Sequence, residues 1–224
     1  MKRGETQPFA IAIGRQLGAG GKAVAEQLAA ALGVAVYDRR LIELAAQAQG
    51  FDAQRVREVD EVAAQGMTSK LLRAIASPFA GFRNPYDNPL SHESVFSVQA
   101  EVIRGIAARE SAVFVGRCSD YILRDHPRHV SVFVLADMAD RVKAVSARLG
   151  ISEAAAREMV ARNDRQRAAH HNLYAETTWG MAAAYDLCVN VSRLGIADAA
   201  AVALHFVRRA LGEDDLPPVR SANP

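Results

Sequence analysis

Cysteine is scarce in this sequence: Cys118 and Cys188 are the whole complement, in neither a metal-ligand spacing nor a Cys-x-x-Cys pair. That argues against a disulfide scaffold or a cysteine zinc site and leaves reduced thiols as the plain reading. Long apolar runs are missing too. Gly14, Arg15 and Gln16 cut short the stretch from Phe9 to Ile13, so no signal peptide or membrane span is read and the cytoplasm is the default compartment. Nor does charge of one sign dominate. With 27 basic against 25 acidic side chains, the chain lacks the concentrated basic face of a nucleic-acid binder. Local anion sites and small-molecule partners are expected, rather than a nucleic-acid polymer or a membrane. No internal repeat is present.

What the chain does have is enough apolar material, half of its 224 residues, for one α/β domain with a sizeable core. Phe9-Ala10-Ile11-Ala12-Ile13 reads as a strand buried on both faces of a parallel sheet. From Lys22 the spacing turns helical, with Val24, Leu28 and Leu32 on one face and Gly33 as the stop; Val34 to Tyr37 is a second strand. A helix is expected from Arg40 to Gln49. Residues 51–93 are irregular, with Ser77-Pro78, Asn84-Pro85 and Asn88-Pro89 around Phe79, Phe82 and Tyr86, and read as a substrate-side insertion. Phe79, Phe82 and Tyr86 could line a base pocket or form the insertion's own small core.

Beyond it the pattern predicts a helix near Val95 to Arg109, strands at Ala112 to Val115 and Val130 to Leu135, and a helix at Ala139 to Leu149. A further helix starts at the N-cap Ser152 and ends near Arg162; then come a strand at Leu187 to Val191 and a helix at Ala197 to Leu211. The organisation is a flexible N-terminus (1–8), a single domain (9–211) and a disordered tail (212–224). Five strands alternating with helices imply a parallel sheet covered on both faces, with ligands outside the carboxyl ends of the strands. Gly14 to Lys22, Asp38-Arg39 and Gly116-Arg117 all fall there.

The turn Gly18-Ala19-Gly20-Gly21-Lys22 between first strand and first helix meets the needs of a phosphate cradle. Glycines let backbone N–H groups point inward, a helix N-terminus stands behind them, and Lys22 can reach terminal phosphates. The strict pattern G-x-x-x-x-G-K-[ST] is broken by Gln16 and by Ala23, which lacks the hydroxyl that ordinarily ligates magnesium. A metal then has to be held through water, another side chain or the nucleotide. A tight turn without a ligand is the bland alternative, and three glycines before a lysine after a buried strand weigh against it.

Phosphoryl transfer needs two anions aligned and neutralised, so arginines from more than one side are expected. Arg162-Asn163-Asp164-Arg165-Gln166-Arg167 supplies three; on a helix Arg162 and Arg165 share a face while Arg167 points elsewhere, and a solvated basic face is the competing account. Arg117, right after a buried strand, sits at the cleft mouth, or pairs with Asp38 or Asp120. Tyr37 and Asp38 could meet a nucleotide, or be a strand-ending aromatic and a helix cap. His170-His171 lacks a second ligand pair, and both are read as lid or surface residues. Trp179-Gly180 is a hinge or packing.

Taken together, Ile11 to Gly21, Tyr37 to Ile42, Val115 to Leu123, Arg162 to Arg167, Trp179-Gly180 and Tyr185 to Gly195, in this order, resemble the cytidylate kinase-like proteins, a P-loop branch related to bacterial cytidylate kinases. The resemblance covers most of residues 9–210. It implies the nucleoside monophosphate kinase fold: a five-stranded parallel sheet with helices on both faces, a monophosphate-binding insertion and a short lid at about 162–180. It places Gly18, Ala19, Gly20, Gly21, Lys22 and Ala23 on the phosphates of ATP, and Arg162, Arg165 and Arg167 in the lid. Ser192 and Arg193, in the stretch to Gly195, come near the adenine, and Asp38, Arg39 and Arg117 come on the acceptor side. Where related kinases carry an acid at the end of the third core strand, this chain has Gly116. Asp120 is the candidate carboxylate on that side, or only a helix cap. The expected activity is transfer from ATP, with Mg²⁺, to a nucleoside monophosphate, CMP or dCMP first. A P-loop kinase for another small acceptor and a non-catalytic nucleotide-binding regulatory module are the rivals.

Overall fold

Strand β1 (Ala10–Arg15) runs through the middle of the sheet, with its first five residues buried. A strand flanked on both sides and covered on both faces has no room for polar side chains, which is why Ala10 to Ile13 carry none. The computed structural model describes residues 7–39, 42, 92–212 and 216. Within these, β1 is followed by α1 (Gly21–Leu32), β2 (Ala35–Tyr37), α2 (His92–Ala107), β3 (Ala112–Val115), α3 (Ser119–Ile122) and β4 (His129–Leu135). After β4 come α4 (Met138–Leu149), α5 (Glu153–Tyr174), a 3₁₀ turn (Ala182–Ala184), β5 (Leu187–Asn190) and α6 (Val191–Leu211).

The five strands form one parallel sheet in the order β2-β3-β1-β4-β5. Each parallel neighbour needs a crossover, and the helices supply it on both faces. From β1 the chain goes past β3 to the edge strand β2, returns through β3, and then crosses β1 to β4 and β5 on the other side. The carboxyl end of β1 is therefore the switch point at which such sheets bind ligands. The core on one side joins Ile11, Ile13, Val113 and Val132 to Val24, Leu28 and Leu32 of α1 and to Ala199, Ala203 and Val207 of α6. A smaller apolar cluster, Val142 and Val145 of α4 with Ala156 and Val160 of α5, fastens those two helices together.

The chain divides into two units, residues 1–39 with 103–224, and residues 40–102. Of the second unit the described part is Ile42, which is buried, and the first turns of α2. The helix expected at Arg40 to Gln49, the aromatics Phe79, Phe82 and Tyr86, and most of the tail lie outside the described residues. Among the described residues no helix is long and apolar enough to cross a membrane.

The five strands and most helix starts match the sequence pattern closely. Ser152 caps α5, its Oγ accepting from the backbone N–H of Ala155 at 3.3 Å. Two helices differ in extent: α5 continues past Arg162 to Tyr174, and α6 begins at Val191, with a break at Gly195, rather than at Ala197. No glycine or proline interrupts Arg162 to Tyr174, and the lack of an apolar stripe there had hidden a helix that is held by polar contacts instead.

Ile11 has no exposed surface and packs among residues of both flanking strands. Truncation of Ile11 to alanine leaves a cavity that the sheet cannot close, so Ile11→Ala should lower stability by about 2–5 kcal/mol. Urea denaturation of the two proteins measures this directly.

Candidate nucleotide and phosphoryl-transfer site

The segment Gln16 to Gly20 turns the chain from β1 into α1. Gly18 and Gly20 adopt left-handed φ of 83° and 75°. A side chain at position 18 would run into the backbone of Arg141 at 2.7 Å, so α4 can lie directly against the turn only because glycine is there. Gly20 precedes the first turn of α1, which leaves the helix's N-terminal amides open toward the cleft.

The turn is also held from the other side. Asp164 of α5 accepts from the backbone N–H of Leu17 at 2.9 Å through Oδ1, and its Oδ2 takes the guanidinium of buried Arg141. One turn further along α5, Arg167 donates from Nη1 to the carbonyl of Arg15 at 3.0 Å. Residues 164 and 167 are three apart and share a helix face, and that face meets the turn. Arg162 and Arg165 share the other face and are exposed. Burial lowers the pKa of Arg167, Arg148 adds repulsion, and Asp164 acts in the opposite sense.

A cleft of about 580 Å³ opens here, lined by residues 15–22, by Asp140 and Arg148 of α4, by Arg167, and by Ser192, Gly195 and Ile196 at the start of α6. Its far wall is built by a small polar network. Asn190 caps α6 by accepting from Ser192 N–H at 2.9 Å, Ser192 Oγ accepts from Asp137 N–H at 2.8 Å, and Asn190 Nδ2 donates to Asp137 at 3.2 Å. Gly195, with φ 77° and ψ 169°, breaks the helix after one turn and exposes this rim. Arg193 is exposed and is not among the residues lining the cleft.

Lys22 is exposed, and its ammonium is engaged by Asp38 at 3.0 Å and more loosely by Glu26 at 3.8 Å. The hydrogen bond and charge of Asp38 raise its pKa. Asp38 follows β2 and Lys22 opens α1, so this pair joins the ends of two adjacent segments at the mouth of the site. Arg39 is exposed beside it. Gly116, Arg117 and Cys118 all adopt left-handed conformations, with φ of 76°, 59° and 53°. Two consecutive non-glycine residues in that region cost energy, and such strain concentrates at functional turns. The turn puts Arg117 at the carboxyl end of β3.

Asp120 neither caps α3, whose N-cap residue is Cys118, nor faces the cleft. Its Oδ2 lies 2.7 Å from Nε2 of His171, which is buried and not a surface residue as its place in a polar segment suggested. Burial disfavours the imidazolium, but the hydrogen bond and charge of Asp120, with Asn172 and the backbone at Thr177, outweigh it and raise the pKa. Trp179 packs edge-on against Phe133 of β4 at 5.2 Å, and Tyr185 lies 4.8 Å from the same ring. Packing is thus one role of Trp179.

Three contributors were not singled out by the sequence pattern: Arg15, Asp164 and Arg148. Arg15 had a visible signal, a charged residue closing an otherwise apolar strand. Asp164 had one too, its three-residue spacing from Arg167.

A parallel sheet with this strand order, a glycine-lysine turn after its central strand and arginines around the cleft define a P-loop kinase fold. The comparisons agree. The model of the cytidylate kinase-like family matches residues 10–193, and the chain belongs to that family. A crystal structure of an uncharacterized protein from Eubacterium ventriosum is 28% identical, covers 89% of this chain and 98% of its own, and superposes with a TM-score of 0.64. TT1252 from Thermus thermophilus is 19% identical over 92% of this chain and 98% of its own, at a TM-score of 0.48. A shikimate kinase from Bacteroides thetaiotaomicron is 10% identical over 89% of this chain and 98% of its own, at a TM-score of 0.50, a likeness of fold. No curated protein matches the sequence.

Asp164 pairs with a buried arginine and a loop amide at once. Asp164→Ala strands the Arg141 charge in a desolvated site, and should lower stability by about 3–5 kcal/mol in chemical denaturation. The raised pKa of His171 means that the folded state binds its proton more tightly than the unfolded state does. Its stabilisation is complete below the ordinary value of 6.5 and is lost as pH rises through the raised folded value. His129, lowered by burial, acts oppositely, losing stability as pH falls. His171→Gln should therefore abolish the loss of stability above about pH 6.5 and leave the low-pH limb, as read by urea midpoints across pH.

Proposed function

We propose that this P-loop kinase is a nucleoside monophosphate kinase that moves the γ-phosphoryl of ATP onto a monophosphate, with CMP and dCMP the foremost acceptors. The observation that carries this reading is the convergence, in a member of the cytidylate kinase-like family, of a glycine-lysine turn with arginines from two other elements. ATP would lay its phosphates along Gly18 to Lys22 and its base toward the rim of Ser192 and Gly195. The acceptor would enter on the side of Asp38, Arg39 and Arg117.

A phosphate oxygen of the acceptor forms a bond to the γ-phosphorus as the bond from that phosphorus to the β–γ bridging oxygen breaks, and ADP leaves. The attacking oxygen is already anionic, so no general base is required, and the rate comes from alignment and charge neutralisation. Lys22 would release Asp38 to meet the terminal phosphates. Arg167, fixed through its bond to the Arg15 carbonyl, presents a guanidinium whose direction is set before the nucleotide arrives. Arg162 and Arg165, solvent-facing on α5, would act on the nucleotides only if the lid segment changed its packing.

Position 23 offers no hydroxyl and position 116 no carboxylate, and among the described residues there is no group of three potential metal ligands. The two protein groups that P-loop kinases ordinarily turn toward magnesium are therefore missing at these positions. Magnesium would accompany the nucleotide, held by phosphate oxygens and water, as it commonly is with nucleotides.

In a coupled ADP-release assay with each common monophosphate, CMP or dCMP should give the fastest acceptor-dependent turnover, and Lys22→Ala should reduce it about a hundredfold or more. Absence of turnover with every monophosphate would sink the kinase assignment of the acceptor class. Undiminished turnover in Lys22→Ala would reject the phosphate site.

A further inference from the structure

Arg15 ends β1, and the phosphate-loop pattern assigns it no role. It is among the residues that line the cleft, with Lys22 and Arg167. It also reaches across to the end of β3, where its Nη1 lies 1.8 Å from the place a Cβ at position 116 would occupy. The room that a strand-end carboxylate would need is thus filled by a guanidinium. The next residue is Arg117, and Arg167 holds the Arg15 backbone carbonyl at 3.0 Å. Arg167 of α5 and Arg117 of the β3 turn are both near enough for their charges to act on Arg15.

Like charges gathered in a partly desolvated place repel one another, and the effect is visible here. Burial, then Arg167 and Arg117, lower the pKa of Arg15 to about 10. Asp38 acts on it with the opposite sign, but that carboxylate is bonded to Lys22. Among the described residues no carboxylate forms a direct ion pair with Arg15. At neutral pH Arg15 remains a cation. A guanidinium fork suits phosphate oxygens, and an arriving anion converts the repulsion into binding.

We propose that Arg15, with Arg117 and Arg167, forms the subsite that holds the phosphoryl group in flight between donor and acceptor. The inference rests on the kinase reading above and adds an anion-binding residue to it. Arg15 contributes hydrogen bonds and charge only; no proton or electron pair passes to it while the β–γ bond breaks and the new phosphate bond forms. Because the group it holds is the terminal phosphate, ATP gains from Arg15 and ADP does not.

Calorimetric titration of ATP and of ADP into the wild type, Arg15→Gln, Arg15→Lys and Lys22→Ala tests this, with ligand-free melting temperatures measured alongside. Arg15→Gln should weaken ATP about tenfold or more, shift ADP far less, and leave the ligand-free melting temperature unchanged or higher, since repulsion is removed. Arg15→Lys, which keeps the charge and loses the fork, should fall between. ATP affinity in Arg15→Gln within about twofold of wild type overturns the proposal, as does an equal loss of ATP and ADP with a lowered melting temperature. If Arg15→Gln fails to fold, wild-type ATP affinity in Arg15→Lys overturns it. Loss of ATP binding in Lys22→Ala with retention in Arg15→Gln removes Arg15 alone, whereas a wild type that binds no ATP removes the kinase reading itself.

Discussion

One carboxylate, Asp164, holds the phosphate turn by its backbone. Leu17 donates its N–H to Asp164, the same carboxylate takes Arg141 of α4, and Gly18 lets the α4 backbone come close enough for that geometry. Within the turn the backbone makes the bond from Ala19 N–H to the Gln16 carbonyl at 3.4 Å, and the rest of its shape depends on what surrounds it. Here two helices grip it from outside, so the amides facing the cleft are set in direction before a ligand supplies any energy. Preorganisation of this kind is what gives a phosphate cradle its value in phosphoryl transfer.

The grip extends along α5. Near its middle the helix is bound to the turn through Asp164 and Arg167, and near its end His171 is buried against Asp120 behind β3. A helix pinned at two places by charged hydrogen bonds behaves as a strut between the ends of β1 and β3. Swinging it as a flap would break both attachments and expose a buried histidine and arginine.

Most of the fold was legible in the sequence because its strands are short, continuously apolar and separated by glycine or charged stops, which is the signature of a sheet buried on both faces. The glycine-lysine turn was legible for the same local reason. Less visible was the part of the site that depends on helix phase. The arginine-rich stretch drew attention to Arg162, Arg165 and Arg167 alike, whereas the face that docks carries Arg167 with Asp164. An acid between arginines reads as a spacer until the helix is known to continue to Tyr174. Asp120 and His171 lie 51 residues apart and meet only through the fold, so nothing local could announce them. Arg15 was seen chiefly as the residue that ends an apolar run.

Gly116 and Arg15 occupy one volume between them. A side chain at the end of β3 would have to displace the guanidinium of Arg15 and hold a left-handed φ of 76°. Restoring an acidic β3 terminus by a lone substitution would meet a steric and conformational barrier.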